Sequence, residues 1–344
     1  MKARISVVTV MVLFAFFILL PAGSATAGTQ KIKFGHVAPP FHGQSKGADA
    51  FAAYVKDKTG GKIEIATFPM GQLGNERSMA EQVQAGTLHM AAITSAVLQN
   101  FVPQMAILDM PFIYPDRKTA YATLDDPEVQ EKLFSYFAKK GFVGIGFTEN
   151  EFRDITNSKR PIRTPEDVAG LKIRVMNSPV YLDTFKQLGA SSVGIPFPEV
   201  YNALQTGVID AQENPVLTSV LMKFTEVTKY ATVTNHCLTE CPIIVNPDYW
   251  ASLSGNEKDI FRQAAKVCIK TNRDVNAAIH NKLPKLNVSI DEHCRKNGIE
   301  LIRLSPEQRA VFRNATAPVW DKYRKKIGDE IFDFFLAKIK EHQK

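Results

Sequence analysis

Apolar positions in the first part of the chain fall into short runs whose period switches between strand and helix. Lys31 to Val37 (KIKFGHV) predicts a buried strand, and Gly47 to Lys58 carries apolar residues at helical spacing before Gly60-Gly61 stops it. Lys62 to Phe68 alternates as a second strand. Asn75 caps a helix running to about Ala85, which Gly86 closes, and Leu88 to Thr94 forms a third strand. This β-α-β-α-β order predicts an open, mostly parallel sheet flanked by helices. Ligands in such sheets sit beyond the carboxyl ends of the strands. Here those ends are His36-Val37, Phe68 to Gln72, and Thr94-Ser95.

Residues 116–140 are helical in pattern. Phe142 to Phe147 is a strand with two glycines, leading into ENEFRDITNS, a crossover toward a second unit. There Ile155, Thr156 and Leu171 to Val175 begin a new sheet, and Thr164-Pro165-Glu166-Asp167 has the form of a helix start, with Pro at the first helical position. After Val175 come an amphipathic helix, the loop VGIPFPE, a second helix, and the run IDAQENP, in which Asn214 precedes Pro215 in a loop. An apolar strand returns at Cys241 to Val245. Asn256 to Lys282 forms one long helical pattern of roughly 40 Å, enough to run along two domains. The charged C-terminal stretch of about 50 residues is helical in period.

One position breaks the pattern. Arg174 sits inside the β-branched strand LKIRV. Burying a cation is costly unless something pairs with it. The side chain therefore points to solvent, pairs with an acid on a neighbouring strand, or faces a cleft that receives an anion.

The first 27 residues stand apart from this pattern. Lys2 and Arg4 precede an apolar stretch, Ile5 to Leu20; Pro21 and Gly23 break it, and Ala25-Thr26-Ala27 fits a small-x-small cleavage site. A cleaved export signal is expected, with a mature chain starting near Gly28 in the periplasm. The remaining length suits two domains better than one core. The formal net charge is +7, with basic residues scattered and not interleaved with aromatics, so a nucleic-acid partner is not expected. The four cysteines, Cys237, Cys241, Cys268 and Cys294, match no zinc or nucleophile spacing. Cys237 and Cys241, on one strand, lie too far apart to bridge to each other; for the rest, disulfides and buried thiols both remain open. His36 and His42 lack a third ligand nearby, so no metal is expected, and no cofactor.

The stretch GLKIRVMNSPVYLDTFKQLGAS…PFPEVYNALQTGVIDAQENP resembles the signature region of the solute-binding proteins of tripartite ATP-independent periplasmic (TRAP) transporters, DctP type. QLGNERSMAEQVQAGTLHM, FVPQMAILDMPFIY and FRDITNSKRPIRTPEDVAGLKIRV support the resemblance on both sides. It implies an α/β fold of two domains, a periplasmic-binding-protein clamshell with a mixed, mostly parallel sheet in each domain and a long helix spanning both. The expected division is 28–150 plus about 240–280 for the first domain, and 151–239 plus about 281–335 for the second. The resemblance also implies an organic acid held by an arginine that forks onto its carboxylate, and a membrane permease as partner. By position in the motifs, that arginine is Arg174; a second family arginine is Arg153. Asn214 is the pocket asparagine, Phe197 the pocket aromatic, and Asn177 the amide of the strand-helix turn. First-domain contacts are expected around His36, Gln72, Asn75, Thr94 and Ser95.

Two departures stand out: Ala211 where many members carry glycine in DGQENP, and Phe152 where many carry glycine before the second arginine. The latter ring is expected to narrow the pocket. Each site residue has a structural alternative: an ion pair for Arg174 or Arg153, a turn-capping amide for Asn214, core packing for Phe197, a satisfied strand-end histidine for His36. G-x-S-x-G, H-E-x-x-H and phosphate-loop motifs are absent, and Asp210 and Glu213 fit loop structure better than an acid pair. The expected function is capture of a small organic acid, a C4-dicarboxylate first, then a sugar acid or an aromatic or branched carboxylate. A ligand-presenting partner of a sensor kinase and a periplasmic enzyme acting on acids are the alternatives.

Overall fold

The computed structural model describes residues 29–343; the expected export signal and cleavage position lie outside the described residues. One twisted sheet runs through the molecule, in the order β2-β1-β3-β8-β4-β7-β5-β6, with β9 beside β8. Its first half contains β1 (Gln30–Gly35), β2 (Ile63–Phe68) and β3 (Met90–Ala92), with β1 parallel to both neighbours. Its second half contains β5 (Lys172–Val175), β6 (Ser191–Gly194) and β7 (Ala211–Asn214), with β5 again parallel to both neighbours.

Two long antiparallel strands join the halves: β4 (Val143–Asn157) and β8 (Tyr230–Val245), paired from Val143↔Val245 at one end to Asn157↔Tyr230 at the other. The pairing slips three times, between Gly144 and Phe147, Glu149 and Phe152, and Arg153 and Ile155. Glu151 on β4 and Asn235 on β8 adopt left-handed backbone within this region. Bulges increase local twist, and this is where the sheet passes from one half to the other. The sequence pattern showed β4 only as two pieces, because the polar run ENEFRD in its centre hides the strand. Likewise β6 and β7 occupy stretches expected to be loops, and the helix start at Thr164 yields a single 3-10 turn, Pro165–Val168.

The helix Gly255–Asn281 has the expected reach. Ser254 and Glu257 form a capping box at its start. Phe261, Ala264, Ala265 and Cys268 pack in the core of the first half with Phe34, Phe51 and Ile243; Ile279 packs at the other end with Leu217, Leu283 and Cys294. It lies against the helix Gly43–Lys58, whose Gly43 and Gly47 face it: a Cβ on Gly47 would stand 2.6 Å from the Cys268 carbonyl oxygen.

The tail divides differently from the expected 281–335 block. β9 (Glu300–Arg303) and Phe312 join the second half's core beside Ile155 and Ile173. The last helix, Asp329–His342, returns to the first half, where Phe332 and Phe335 share a core with Met105, Leu124, Leu133 and Phe137. The helix before it, Ala317–Ile327, bridges, with Val319 and Tyr323 in that core and Lys322 and the Tyr323 hydroxyl donating to Asp183 of the second half. Their period marks an apolar face but does not say which core receives it. All four cysteines are buried free thiols. Among the described residues no helix is long and apolar enough to cross a membrane.

Candidate functional site

Parallel strands in the two halves aim their carboxyl ends at one region beside the β4–β8 crossing. Val37 and Ala38 follow β1, Thr94 follows β3, Arg174 is the penultimate residue of β5, and Asn214 ends β7. These residues line two small cavities of about 20 Å³ each, which share Val37, Glu76, Arg174, Met176 and Phe197 in their walls. Gln44, Asn150 and Thr218 complete the inner one, and Asn75 and Asn177 the outer one. Residues from both halves thus close over the same space. Three far larger grooves, of about 890, 1140 and 620 Å³, lie along the long helix, beside Leu283–Leu286 and beside Arg117 and Arg313. All are open to solvent, and the charges along the helix groove, such as Arg262, Asp259, Lys270 and Asp274, form exposed ion pairs. Volume does not select the site; buried charge does.

Arg174 is 1% exposed. Its Nε donates to the Ile195 carbonyl at 2.8 Å, while Nη1 has no partner. Burial pulls its pKa down to about 10, against the opposing pull of Glu213, so the guanidinium remains charged at neutral pH. The charge does not reach solvent, makes no salt bridge among the described residues, and lines both cavities.

Arg153 is the other case. It is fully buried and its guanidinium grips Glu213, with Nη2 2.9 Å from Oε1, Nε on Oε2, Nη2 also on the Glu213 carbonyl, and Nη1 3.0 Å from Thr239. Burial works against ionising Glu213, but Arg153 and His236 outweigh it and hold the carboxyl below its usual range. Arg153 lines neither cavity. It stands behind the site as a neutralised cation, the ion-pair alternative, with its partner on β7 one residue before Asn214. Asn214 itself donates to Gln212 Oε1 at 2.6 Å and presents its side chain to the inner cavity.

Phe197, in the 3-10 turn Phe197–Glu199, lines both cavities and meets Phe224 edge-on at 6.0 Å between ring centres. Asn177 holds a place in the outer wall, its carbonyl accepting from Asn100 Nδ2. Asn75 caps the helix Glu76–Gln84 through Ser78 N and lines the outer cavity. Thr94 lines the inner one, and its buried Oγ1 has no partner.

Other expected contacts fall elsewhere. Ser95 is turned away, donating to Asp109 Oδ1 at 2.8 Å. His36 is buried behind the wall with Nδ1 unpartnered; burial, then the charge of His42, lowers its pKa to about 4. Gln72 is an exposed turn residue that lines neither cavity. Phe152 does not narrow the pocket either: its ring lies 5.6 Å from the Arg117 guanidinium and packs against the first half's core.

Sequence reasoning missed Gln44, Asn150, Thr218 and above all Glu76. Glu76 is 8% exposed, and its Oε1 accepts the Thr94 N–H at 2.7 Å. Burial raises its pKa, opposed by Thr94 and by the charges of Arg174 and Arg153. The available signal was the first helical position after the Asn75 cap, where an acid is common for purely local reasons. Among the described residues no cluster of His, Cys, Asp and Glu could hold a metal ion.

Small cavities walled by both α/β halves, with a buried guanidinium that forms no salt bridge among the described residues, have the form of a clamshell suited to an anion. Residues 34–326 match the family described as bacterial extracellular solute-binding protein, family 7. The 2,3-diketo-L-gulonate-binding periplasmic protein YiaO of Escherichia coli strain K12 is 30% identical over 330 residues, 95% of this chain and 94% of its own. A TRAP periplasmic solute-binding protein from Polaromonas sp. JS666, bound to D-erythronate, superposes with a TM-score of 0.83 at 32% identity, covering 90% of this chain and 98% of the other. One from Sulfurospirillum deleyianum DSM 6946, with bound succinate, gives 0.82 at 33% identity, covering 92% and 99%. The fold, the cleft and these likenesses agree, and the chain belongs to the DctP family of TRAP solute-binding proteins, which bind small organic acids.

Proposed function

We propose that this protein captures a small organic acid through Arg174, closes over it, and delivers it to a membrane permease of a TRAP system after export through a cleaved signal near Ala27-Gly28. The observation that carries the reading is the wholly buried Arg174 guanidinium. Nε is anchored on Ile195, and Nη1 is unpartnered in a space walled by both halves. A guanidinium presents paired donors in the plane of a carboxylate, and in a water-poor site such a fork is strong and directional. Asn214 lines the inner cavity and Asn177 the outer one, where their amides can add hydrogen bonds, and Phe197 lines both. Arg153 contributes at one remove, by holding Glu213 and through it β7. The acids named for the relatives, a diketo sugar acid, D-erythronate and succinate, have a carboxylate in common, and that is the group Arg174 would take.

The decisive experiment is calorimetry and thermal shift with a panel of carboxylates on the mature protein and on Arg174→Ala. The wild type should bind at least one acid and melt at higher temperature with it. Arg174→Ala should weaken that binding at least a hundredfold while still folding, since a buried charged hydrogen bond contributes about 1.5–3 kcal/mol and the fork has two. Unchanged binding in the variant would sink the proposal. Recovery of the bound acid unaltered from denatured protein tests the non-enzymatic reading. Acid uptake by vesicles carrying the neighbouring permease genes tests the partner, and the N-terminal sequence of exported protein tests the processing.

A further inference from the structure

Two buried charges face the cavities. Arg174 is one, and Glu76 is the other. Arg77 also borders the outer cavity, but its side chain is 64% exposed and paired with Glu81 at 3.0 Å. The Arg153–Glu213 pair behind the wall is neutral as a unit. The remaining polar lining is uncharged: Gln44, Thr94, Asn150, Asn214 and Thr218 in the inner cavity, Asn75 and Asn177 in the outer one. Such a lining offers one place for a carboxylate and several for hydroxyls.

From this we infer that the acid is a hydroxylated monocarboxylate of the aldonate class, with its carboxylate on Arg174 and a hydroxyl donating to Glu76, and that Glu76 excludes a second carboxylate. The inference rests on the Arg174 reading above. Only Oε1 of Glu76 is engaged, by the Thr94 N–H; Oε2 makes no hydrogen bond within the described residues. A carboxylate oxygen accepts and cannot donate when ionised, so a ligand hydroxyl satisfies it and a ligand carboxylate repels it. Thr94 Oγ1, buried beside the same carboxylate, can donate to Glu76 or to a ligand hydroxyl and can accept from that hydroxyl. Glu76 cannot easily withdraw. It is the first residue of its helix, with Asn75 as cap, and its own contact with Thr94 ties that helix to the end of β3. Two carboxylates a few ångströms apart in a water-poor cavity cost on the order of a hundredfold or more in affinity. C4-dicarboxylates, first among the acids expected from sequence, would therefore be poor ligands.

The test compares C4 to C6 aldonates, D-erythronate among them, with dicarboxylates of matched length, succinate among them, by calorimetry on the mature protein. The expected result is an aldonate preference of about a hundredfold or more. Glu76→Gln, which keeps shape and removes charge, should narrow that preference at least tenfold, by weakening the aldonate and admitting the dicarboxylate. Should Glu76→Gln fail to fold, Glu76→Asp replaces it: the shortened carboxylate should weaken the aldonate and still exclude the dicarboxylate. Equal or tighter dicarboxylate binding by the wild type, binding of no aldonate, or a preference that neither variant alters would each overturn the inference. Arg174→Ala separates the two readings. If it binds acids as the wild type does, the anchor itself is misassigned. If it loses every acid while Glu76 variants leave the preference unchanged, only the role of Glu76 falls.

Discussion

Two arginines of similar burial have opposite fates, and neighbouring charge decides which. Arg153 meets Glu213 within the sheet and is neutralised there; Arg174 meets only a carbonyl among the described residues and lines the two cavities. Removing one member of a buried pair leaves the other uncompensated, at about 3–5 kcal/mol. Glu213→Leu should therefore lower the denaturation midpoint strongly, and the double variant Arg153→Met/Glu213→Leu should recover much of the loss. Urea unfolding of the three proteins reads this directly. A second residue-scale prediction concerns acid. His42 caps the helix Gly43–Lys58 by accepting the Gln44 N–H on Nδ1 at 3.1 Å, so it must be neutral there. Burial foremost, with His280 adding and Glu151 opposing, lowers its pKa from 6.5 to about 4. The unfolded chain takes up a proton in that interval and the fold does not. Stability from His42 is then complete above about pH 6.5 and lost as pH falls toward about 4. His42→Asn keeps a neutral cap, and its stability should decline less than that of the wild type between those limits. The difference between the two profiles isolates His42 from carboxyls titrating in the same range.

At the scale of elements, the close contact between the helix Gly43–Lys58 and the helix Gly255–Asn281 depends on missing side chains. A Cβ on Gly43 would stand 2.1 Å from the Asn272 carbonyl, and one on Gly47 2.6 Å from that of Cys268. Backbone on both sides leaves little to yield. Gly47→Ala should cost about 1–3 kcal/mol by overpacking, seen as a lower melting temperature. Acid affinity at low temperature should be retained, because Gly47 is remote from the cavity lining. The period of each helix was legible in sequence, but their closeness was not: glycine inside a helical pattern marks a weak spot as readily as a contact. Strand β4 teaches the same lesson. ENEFRD is polar because its side chains enter buried pairs, with Glu149 N donating to Asn272 Oδ1 and Glu149 itself held by Arg117 and Tyr121. A hydrophobic period cannot reveal a strand stabilised in this way.

At the scale of the molecule, the cavities are walled by 37–97 from one side and 150–218 from the other, across the bulged crossing of β4 and β8. An acid larger than a water molecule enters only if those walls separate. Small-angle scattering should give a larger radius of gyration without acid than with it, and Arg174→Ala should keep the larger value in both conditions. An unchanged radius in the wild type would argue against a hinge at the crossing. The alternation of periods established the α/β class and the long helix, and the single charge in LKIRV marked a strand that reaches the cavity wall, because both are local properties of the chain. The DctP motifs added the family and placed Phe197, Asn177 and Asn214 on the wall. The separation of Arg174 from Arg153, the entry of Glu76, the removal of His36, Ser95, Gln72 and Phe152 from the lining, and the return of the last helix to the first half were decided only by folding. Each depends on which groups from distant segments meet in a low-dielectric interior, where one partner decides whether a buried charge is paired or left facing a cavity.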